Sequence, residues 1–544
     1  MCGIWYYLGT GCSLETAAPM VGRLQARGPE GMRIVDLSGS ILGFTRLAIN
    51  GLNPEGMQPM KHPRSDLAWV CNGEIYNWRA LADEYRIPNI SGSDCEILGE
   101  LYETFCEENI PISGLFRALD GVFAIIIVDR KRGQVVIARD PYGVRPLYSG
   151  FCPTGVVFAS EIKALLPMCD RVIPFLPGQY HVLEIATGAT RASGKYHTVP
   201  TVTNPLYTPE WSGSAFEFAT MAVRESLVNA VRKRMMTERP VAALLSGGVD
   251  SSLIAALVAR ELRIANAPPL RTFSIGMKGS GDVAYARKVA DWIGSVHTEV
   301  ILTPDDFFRA IPEVIRDIES YDTTTVRASV GNWLVGKAIA EQAPDCKVVF
   351  NGDGSDEMWG SYLYLFKAPS DAAFEEETTR LLTDIHYFDV LRSDRCISSH
   401  GLEPRTPFLD KQVVAVAKSV GTEWRRPIRG VKPEKWLLRK AFDDGILLPP
   451  EVLWRQKEAF SDGVSGAEKS WFQIAKEMAE GLVGPHWAAE AELQYSFNRP
   501  ATAEQFYYRQ LYDSYFGRGL AHVNVPYFWM PKWSKTTDPS ARTL

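Results

Sequence analysis

The stretch Ser246-Gly247-Gly248-Val249-Asp250-Ser251-Ser252 constrains this chain more than any other. The apolar run Val241-Ala242-Ala243-Leu244-Leu245 precedes it, and the apolar, helix-prone Leu253-Ile254-Ala255-Ala256-Leu257-Val258 follows. That order reads strand, tight loop, helix. Two adjacent glycines let the backbone turn sharply and approach a ligand closely. Ser251 and Ser252 fall where the helix begins, so hydroxyls and free backbone N–H groups face the loop. A helix start of this kind binds phosphate groups. Asp250 is itself an anion, so its expected partner is Mg²⁺, bridging carboxylate and phosphate oxygens. The Gly-Lys-Ser/Thr ending of the common nucleotide P-loop is absent. A glycine turn capped by serines is the plain alternative.

A second signal stands at the start. Met1 is followed by Cys2-Gly3-Ile4-Trp5, with nothing that reads as a secretory signal. Removal of Met1 would leave the Cys2 thiol beside its own α-amine. With a pKa of about 7.7–8.0, part of that amine is neutral near pH 7 and can accept the thiol proton. Nucleophile and base then share one residue. Asn72-Gly73-Glu74-Ile75-Tyr76-Asn77 follows the apolar run Leu67 to Cys71. An Asn amide next to a Gly N–H offers two donors to one oxyanion. Arg46 can pair bidentately with an α-carboxylate, and Asp94 with an α-amine. Separately each is an ordinary loop or surface residue; together with Cys2 they suit binding of free glutamine and attack on its side-chain amide.

At 544 residues the chain exceeds the roughly 100–200 residues of one domain. A net charge of −6 gives no support for nucleic-acid or anionic-membrane binding. The longest apolar run, Val122 to Val128, is far shorter than the roughly 20 residues of a membrane helix. Nine cysteines without a Cys-x-x-Cys pair fit reduced thiols in a cytoplasmic protein, and no Cys/His cluster has zinc-ligand spacing.

Short strand-like runs dominate up to Tyr196: Ile41 to Ile49, Leu67 to Cys71, Gly121 to Asp129, Gln134 to Ala138 and Gly155 to Ala159. Helical patches at Thr16 to Gln25 and Asp94 to Cys106 are fewer, which predicts a layered α+β domain over 1–196. The Pro- and Thr-rich 197–213 reads as a linker. From 214 to 544, helices alternate with buried strands at Val241 to Leu245, Arg271 to Ile275, Thr298 to Ile301 and Lys347 to Phe350. Asp282 to Ile293 and Asp305 to Ile318 read as helices, and the chain beyond Phe374 as mostly helical. This predicts an α/β doubly wound parallel sheet with ligands at the carboxyl ends of its strands.

The Ser246 loop resembles the pyrophosphate loop of the ATP pyrophosphatases. Cys2-Gly3-Ile4, Arg27-Gly28-Pro29, Arg46-Leu47-Ala48-Ile49, Asn72 to Asn77 and Arg139-Asp140-Pro141-Tyr142-Gly143-Val144-Arg145-Pro146-Leu147 resemble class II glutamine amidotransferases. Joined, and with Tyr321 to Ser329, Gly354-Ser355-Asp356-Glu357, Pro407-Phe408-Leu409-Asp410, Trp454 to Gly463 and Asp538 to Arg542, they resemble the glutamine-hydrolysing asparagine synthetases over almost the full length.

The resemblance implies two antiparallel sheets between helical layers in the first domain, and ammonia passing internally between two sites. It implies Cys2, Asn72, Gly73, Asp353 and Lys457 as catalytic residues. Glutamine would meet Arg46, Leu47, Ala48, Ile49, Asn50, Asn72, Gly73, Glu74 and Asp94. ATP would meet Leu244, Ser246, Gly247, Gly248, Asp250, Ser251, Ile275, Asn351 and Gly352, with Mg²⁺ on Asp250 and Asp356. Asp322, Thr323, Thr324 and Arg327 are candidates for aspartate or pyrophosphate. Glutamine, aspartate and ATP are the implied small-molecule partners; whether the chain forms a homodimer is left open.

Two segments depart from the family pattern. Ala26-Arg27-Gly28-Pro29-Glu30 replaces His-Arg-Gly-Pro-Asp, and Asn351-Gly352-Asp353-Gly354-Ser355-Asp356-Glu357 replaces Ser-Gly-Glu-Gly-Ser-Asp-Glu. Related amide-forming enzymes such as β-lactam synthetases tend to lack the N-terminal Cys, so Cys2 argues against them. A non-catalytic sensor would be expected to lack Cys2, Asp250 or Lys457, and all are present. A binding scaffold built on the paired domains stays open.

Overall fold

The computed structural model describes residues 1–200, 214–458, 463–466, 469–536 and 538–540. Most of the segment read as a linker (201–213), the motif residues Ala459 to Asp462, and Ala541 and Arg542 lie outside them. The chain forms two compact units. One comprises Met1–Val199 with the short segments Met236–Arg239 and Ser398–Glu403. The other comprises Pro200–Met235, Pro240–Ile397 and Pro404–Leu544.

The first unit contains β1 (Gly3–Gly9), β2 (Gly31–Asp36), β3 (Ser40–Arg46), β4 (Met60–Lys61), β5 (Leu67–Ile75) and β6 (Gly121–Asp129). It continues with β7 (Gln134–Arg139), β8 (Tyr148–Cys152), β9 (Gly155–Ala159), β10 (Arg171–Pro174), β11 (Gln179–Glu184) and β12 (Thr190–Lys195). Two six-stranded antiparallel sheets result, ordered β10-β8-β9-β1-β3-β2 and β12-β11-β7-β6-β5-β4. Side-chain alternation explains the run Val122 to Val128. Ala124, Ile126 and Val128 face the core between the sheets with Ile4, Tyr6, Phe44 and Val70. Phe123, Ile125 and Ile127 face the opposite way, against α3 (Leu98–Glu107) and α4 (Ile112–Ala118), where Leu101, Phe105 and Phe116 are buried. α2 (Trp78–Tyr85) packs in the same layer as α3 and α4, with Leu81 and Ala82 buried there, while α1 (Leu14–Gly22) lies against the other sheet. Gly43 of β3 lets α1 pack tightly, since a Cβ there would lie 2.4 Å from Val21 Cγ2. Both faces of β5 and β6 are therefore buried, and the strands read as continuously apolar rather than alternating.

Among the boundaries that differ from the sequence reading, two bear on Asn72 and Asp94. The strand at Leu67 runs on through Ile75, so Asn72, Gly73 and Glu74 are strand residues paired with β6. The helix expected from Asp94 begins at Leu98, because the Asp94 carboxylate instead accepts the Ile75 N–H at 2.7 Å.

The second unit holds α5 (Ala215–Lys233), β13 (Val241–Leu244), α6 (Val249–Ile264), β14 (Arg271–Gly276), α7 (Gly281–Ile293) and β15 (Val296–Ile301). After α8 (Pro304–Arg309), α9 (Ile311–Ile318) and α10 (Thr323–Gln342) come β16 (Val348–Phe350), α11 (Ser355–Trp359) and β17 (Glu403–Arg405). The helix expected over Asp305 to Ile318 is two helices. Pro312 cannot donate an i→i−4 hydrogen bond and would clash inside one continuous helix, so it sits in the first turn of α9. The sheet order is β15-β14-β13-β16-β17, with β15, β14, β13 and β16 parallel. The order reverses between β13 and β16, which makes the crevice beyond their carboxyl ends the expected ligand site. The loops leaving those ends touch: a Cβ on Gly352 would lie 2.8 Å from the Asp250 Cβ. Among the described residues no helix is long and apolar enough to cross a membrane.

Candidate active sites

In the first unit, β1 delivers Cys2 beside the end of β5. The Cys2 N–H donates to Asn72 Oδ1 at 3.1 Å, and its thiol faces the Leu47 carbonyl at 3.6 Å. Arg27 Nε donates to the Cys2 carbonyl at 3.0 Å. With Oδ1 engaged, Asn72 Nδ2 is left buried without a partner. An amide donor that meets no acceptor among the described residues is what an oxyanion-stabilising group requires. Gly73 is demanded by packing, since a Cβ would lie 2.0 Å from the Val122 carbonyl oxygen.

Around this pair, Leu47, Ala48 and Ile49 are buried. Asn50 donates to Glu74 at 2.7 Å. Arg46 donates to the carbonyls of Asn53, at 2.9 Å, and Gly51. Asp94 is held by the Ile75 N–H. The structure thus gathers the sequence-derived glutamine residues around Cys2 and the end of β5. Burial pushes the Cys2 thiol up to about 11 and the Met1 amine down to about 6. While Met1 is attached, the nitrogen of Cys2 is an amide and cannot serve as base.

In the second unit, the Ser246 loop and the segment 351–357, which runs into α11, border a cavity of about 230 Å³. Leu244, Ser246, Gly248, Asp250, Ser251, Ile275, Asn351, Gly352, Asp353, Asp356, Thr324 and Lys457 line it. Helix α6 begins at Val249, so Ser251 lies inside the first turn and donates back to the Gly248 carbonyl. Gly247 does not line the cavity. It turns against α7 with φ +73°, where a Cβ would lie 2.5 Å from the Tyr285 Cβ.

The two carboxylates read as metal ligands converge. Lys435, fully buried and in left-handed backbone conformation, donates to both Asp250 and Asp356. Lys457 reaches Asp356 at 2.6 Å, and Ser355 reaches Asp250 at 2.7 Å. Burial works against the Asp356 carboxylate, yet Lys435 and Lys457 outweigh it and hold its pKa far below the usual range. Two carboxylates that already gather a buried ammonium fit a cation, and hard oxygens are the ligands Mg²⁺ takes. Among the described residues, no cluster of three or more His, Cys, Asp or Glu is placed to hold a metal by itself. Phosphate oxygens would have to complete the shell.

Deeper in the cavity, Arg392 Nη2 meets Asp353 Oδ1 at 2.9 Å and Asp389 Oδ1 at 3.4 Å. Asp353 Oδ2 and Glu357 Oε2 are buried without hydrogen-bond partners among the described residues. Tyr362 donates to Glu357 at 2.7 Å and to Asp389 at 3.0 Å. Burial, and then the neighbouring Asp389, raises the Glu357 carboxyl well above its ordinary value. The sequence reading missed Lys435, Tyr362, Asp389 and Arg392. Asp389 and Arg392 carry a faint signal, acid and base three residues apart in one helical stretch; Lys435 carries none.

Three of the candidates for aspartate or pyrophosphate, Asp322, Thr323 and Arg327, do not line this cavity. Arg327 is paired with Glu504 at 2.8 Å and Asp538 at 2.9 Å. Burial works against its charge, and Glu504 and Asp538 outweigh that cost. Asp322 caps α10, accepting the Thr325 N–H at 2.9 Å and the Trp529 N–H at 2.8 Å. Thr323 does not line the cavity either. Thr324 does, with its hydroxyl buried and unpartnered.

Fold and comparison agree on a class: a glutamine amidotransferase joined to a synthase. Residues 1–177 match the glutamine amidotransferase domain family, and residues 222–373 and 367–530 match the asparagine synthase family. Over 570 residues the chain is 42% identical to the glutamine-hydrolysing asparagine synthetase of Homo sapiens, covering 100% of this chain and 98% of that protein. It is 41% identical over 568 residues to that of Cricetulus griseus, and 40% over 569 residues to that of Gallus gallus, with the same coverage. The chain belongs to the family of glutamine-hydrolysing asparagine synthetases.

Proposed function

We propose that the protein makes L-asparagine from L-aspartate and ATP with ammonia taken from glutamine, releasing glutamate, AMP and pyrophosphate. Supporting this reading is the presence on one chain of two sites. One pairs Cys2 with the unpartnered Asn72 amide; the other lies at the sheet's switch point, with Asp250 and Asp356 gathered on a cation.

After removal of Met1, the Cys2 α-amine takes the thiol proton and the sulfur attacks the glutamine amide carbon. Asn72 Nδ2 and the Gly73 N–H stabilise the oxyanion. Ammonia leaves, and water releases glutamate from the thioester. Arg46 and Asp94 hold the amino-acid end of glutamine. In the second unit, Leu244 and Ile275 flank the adenine while the Ser246 loop cradles the phosphates. Asp250 and Asp356 would hold Mg²⁺, which neutralises phosphate charge when bound. The aspartate side-chain carboxylate attacks the α-phosphorus and pyrophosphate departs, its charge met by Lys457. Ammonia then attacks the β-carbonyl of aspartyl-AMP, yields a proton to Asp353, and expels AMP. The same reading takes the protein as cytoplasmic, with no nucleic-acid or membrane partner.

Nucleotide analysis after incubation with aspartate, glutamine, ATP and Mg²⁺ tests it. AMP and pyrophosphate in step with asparagine are expected; stoichiometric ADP would overturn it.

A further inference from the structure

The segment Met236–Arg239 follows α5 in the sequence but belongs to the first unit, where it grips the loop after β3. The Glu238 N–H donates to the Ile49 carbonyl at 3.0 Å, and Glu238 Oε1 accepts the Gly51 N–H at 2.7 Å. Arg239 Nε donates to the Ala48 carbonyl at 3.0 Å. Arg239 Nη2 also pairs with Glu30 Oε1 at 2.9 Å, while Glu30 Oε2 accepts the Ala48 N–H at 2.8 Å. Four backbone groups between Ala48 and Gly51 are therefore bound from one side by three charged residues. Gly51 has φ +59°, and a Cβ there would lie 2.5 Å from the Ser91 carbonyl oxygen, so the loop is wedged as well as tied. Its other contacts lead to the reacting centre. The Leu47 carbonyl faces the Cys2 thiol, and Asn50 reaches Glu74. Glu30 stands where the family pattern has the shorter Asp. Its extra methylene lets one carboxylate span Ala48 and Arg239.

We propose that Glu238 and Arg239 are positioning residues for glutamine, fixing the loop 47–51 through its backbone so that the substrate's amide meets Cys2. The inference rests on the reading of Arg46 to Asn50 as the glutamine subsite. A misplacement of about 1 Å costs on the order of 10²-fold in rate, which is the scale of effect a loosened loop would bring.

Glutaminase kinetics, with ammonia-dependent asparagine synthesis measured in parallel, test it. Glu238→Ala, and independently Arg239→Ala, should raise KM for glutamine about tenfold or more, with a smaller change in kcat. Ammonia-dependent synthesis should stay at the parental rate. Glu238→Gln keeps an oxygen for the Gly51 N–H and should restore most of the affinity. A merely structural role would lower the glutamine- and ammonia-dependent rates together, and that result overturns the proposal. Arg46→Ala separates the two readings. If it raises KM for glutamine while Glu238→Ala and Arg239→Ala do not, the proposal alone is wrong. If it leaves KM unchanged, the subsite reading falls and the proposal falls with it.

Discussion

Asn72 Oδ1 receives the Cys2 N–H at 3.1 Å, while Asn72 Nδ2 is a buried donor with no partner among the described residues. Asn72→Asp keeps the acceptor for Cys2 and removes the donor. Glutaminase kcat should fall by about 10²–10³, the cost of one oxyanion-hole donor. Ammonia-dependent synthesis should be untouched. Glutamate release measured beside asparagine formation from ammonium checks both halves; a loss under about threefold would remove Asn72 from the mechanism.

Met1 controls Cys2 through charge as well as access. With Met1 attached, burial holds the thiol near 11, so almost no thiolate exists at neutral pH. A chain that retains Met1, or carries an uncleaved extension, should release no glutamate at pH 7–8 and should resist alkylation at Cys2. The processed chain has an α-amine of about 7.7–8.0 beside the thiol and should do both. Mass spectrometry of the N-terminus, paired with the rate of Cys2 carboxamidomethylation, gives the answer. Equal glutaminase rates for the two forms would contradict the role given to the amine.

Asp353 lines the cavity, offers one oxygen to Arg392 and keeps the other unpartnered among the described residues. Asp353→Asn preserves size and removes the base, so synthesis should drop by about 10²–10⁴ while glutaminase activity persists. Burial raises the Asp353 carboxyl against the pull of Arg392. Its charged form is therefore lost at higher pH than for an exposed aspartate, and the synthesis rate should decline on acidification earlier than the usual carboxylate range. Asp353→Glu restores the family's residue and should keep activity if the longer arm still reaches Arg392. A fully active Asn variant would make this carboxylate structural.

Local pattern carried much of this fold into view. The strand–loop–helix at Ser246 and the apolar runs of β5 and β6 are contiguous, so their chemistry is readable in a few neighbouring residues. Long-range partners are not. The carboxylates that hold Arg327, Glu504 and Asp538, lie 177 and 211 residues away. Lys435 joins Asp250 and Asp356 from a left-handed backbone position that no residue preference of lysine announces. Asp305 to Ile318 showed helical periodicity on both sides of Pro312, which hid the break.

His297 ties acid stability to one ring. Its Nδ1 meets Thr272 Oγ1 at 2.9 Å and its Nε2 meets Ser274 Oγ at 3.1 Å. Burial, then Arg287, lowers its pKa from 6.5 to about 4. A depressed folded value means a contribution fully present above pH 6.5 and lost as pH falls through about 4. Allowing for the ring's partial exposure, about 1–2 kcal/mol is at stake. His297→Gln keeps polar partners for both hydroxyls without titrating there. Urea midpoints at pH 7 and near pH 4 should converge less for the parent than for the variant; identical pH dependence would contradict the assignment.

The central claim is that glutamine nitrogen becomes asparagine nitrogen on this chain. Glutamine carrying heavy nitrogen in its side-chain amide, supplied with aspartate, ATP, Mg²⁺ and a trace of unlabelled ammonium, follows that atom. The account predicts heavy nitrogen in the asparagine side-chain amide, one AMP per asparagine, and loss of the label, but not of ammonia-dependent synthesis, in Cys2→Ala. Label that stays in glutamine while asparagine accumulates, or label transfer undiminished in Cys2→Ala, would contradict it.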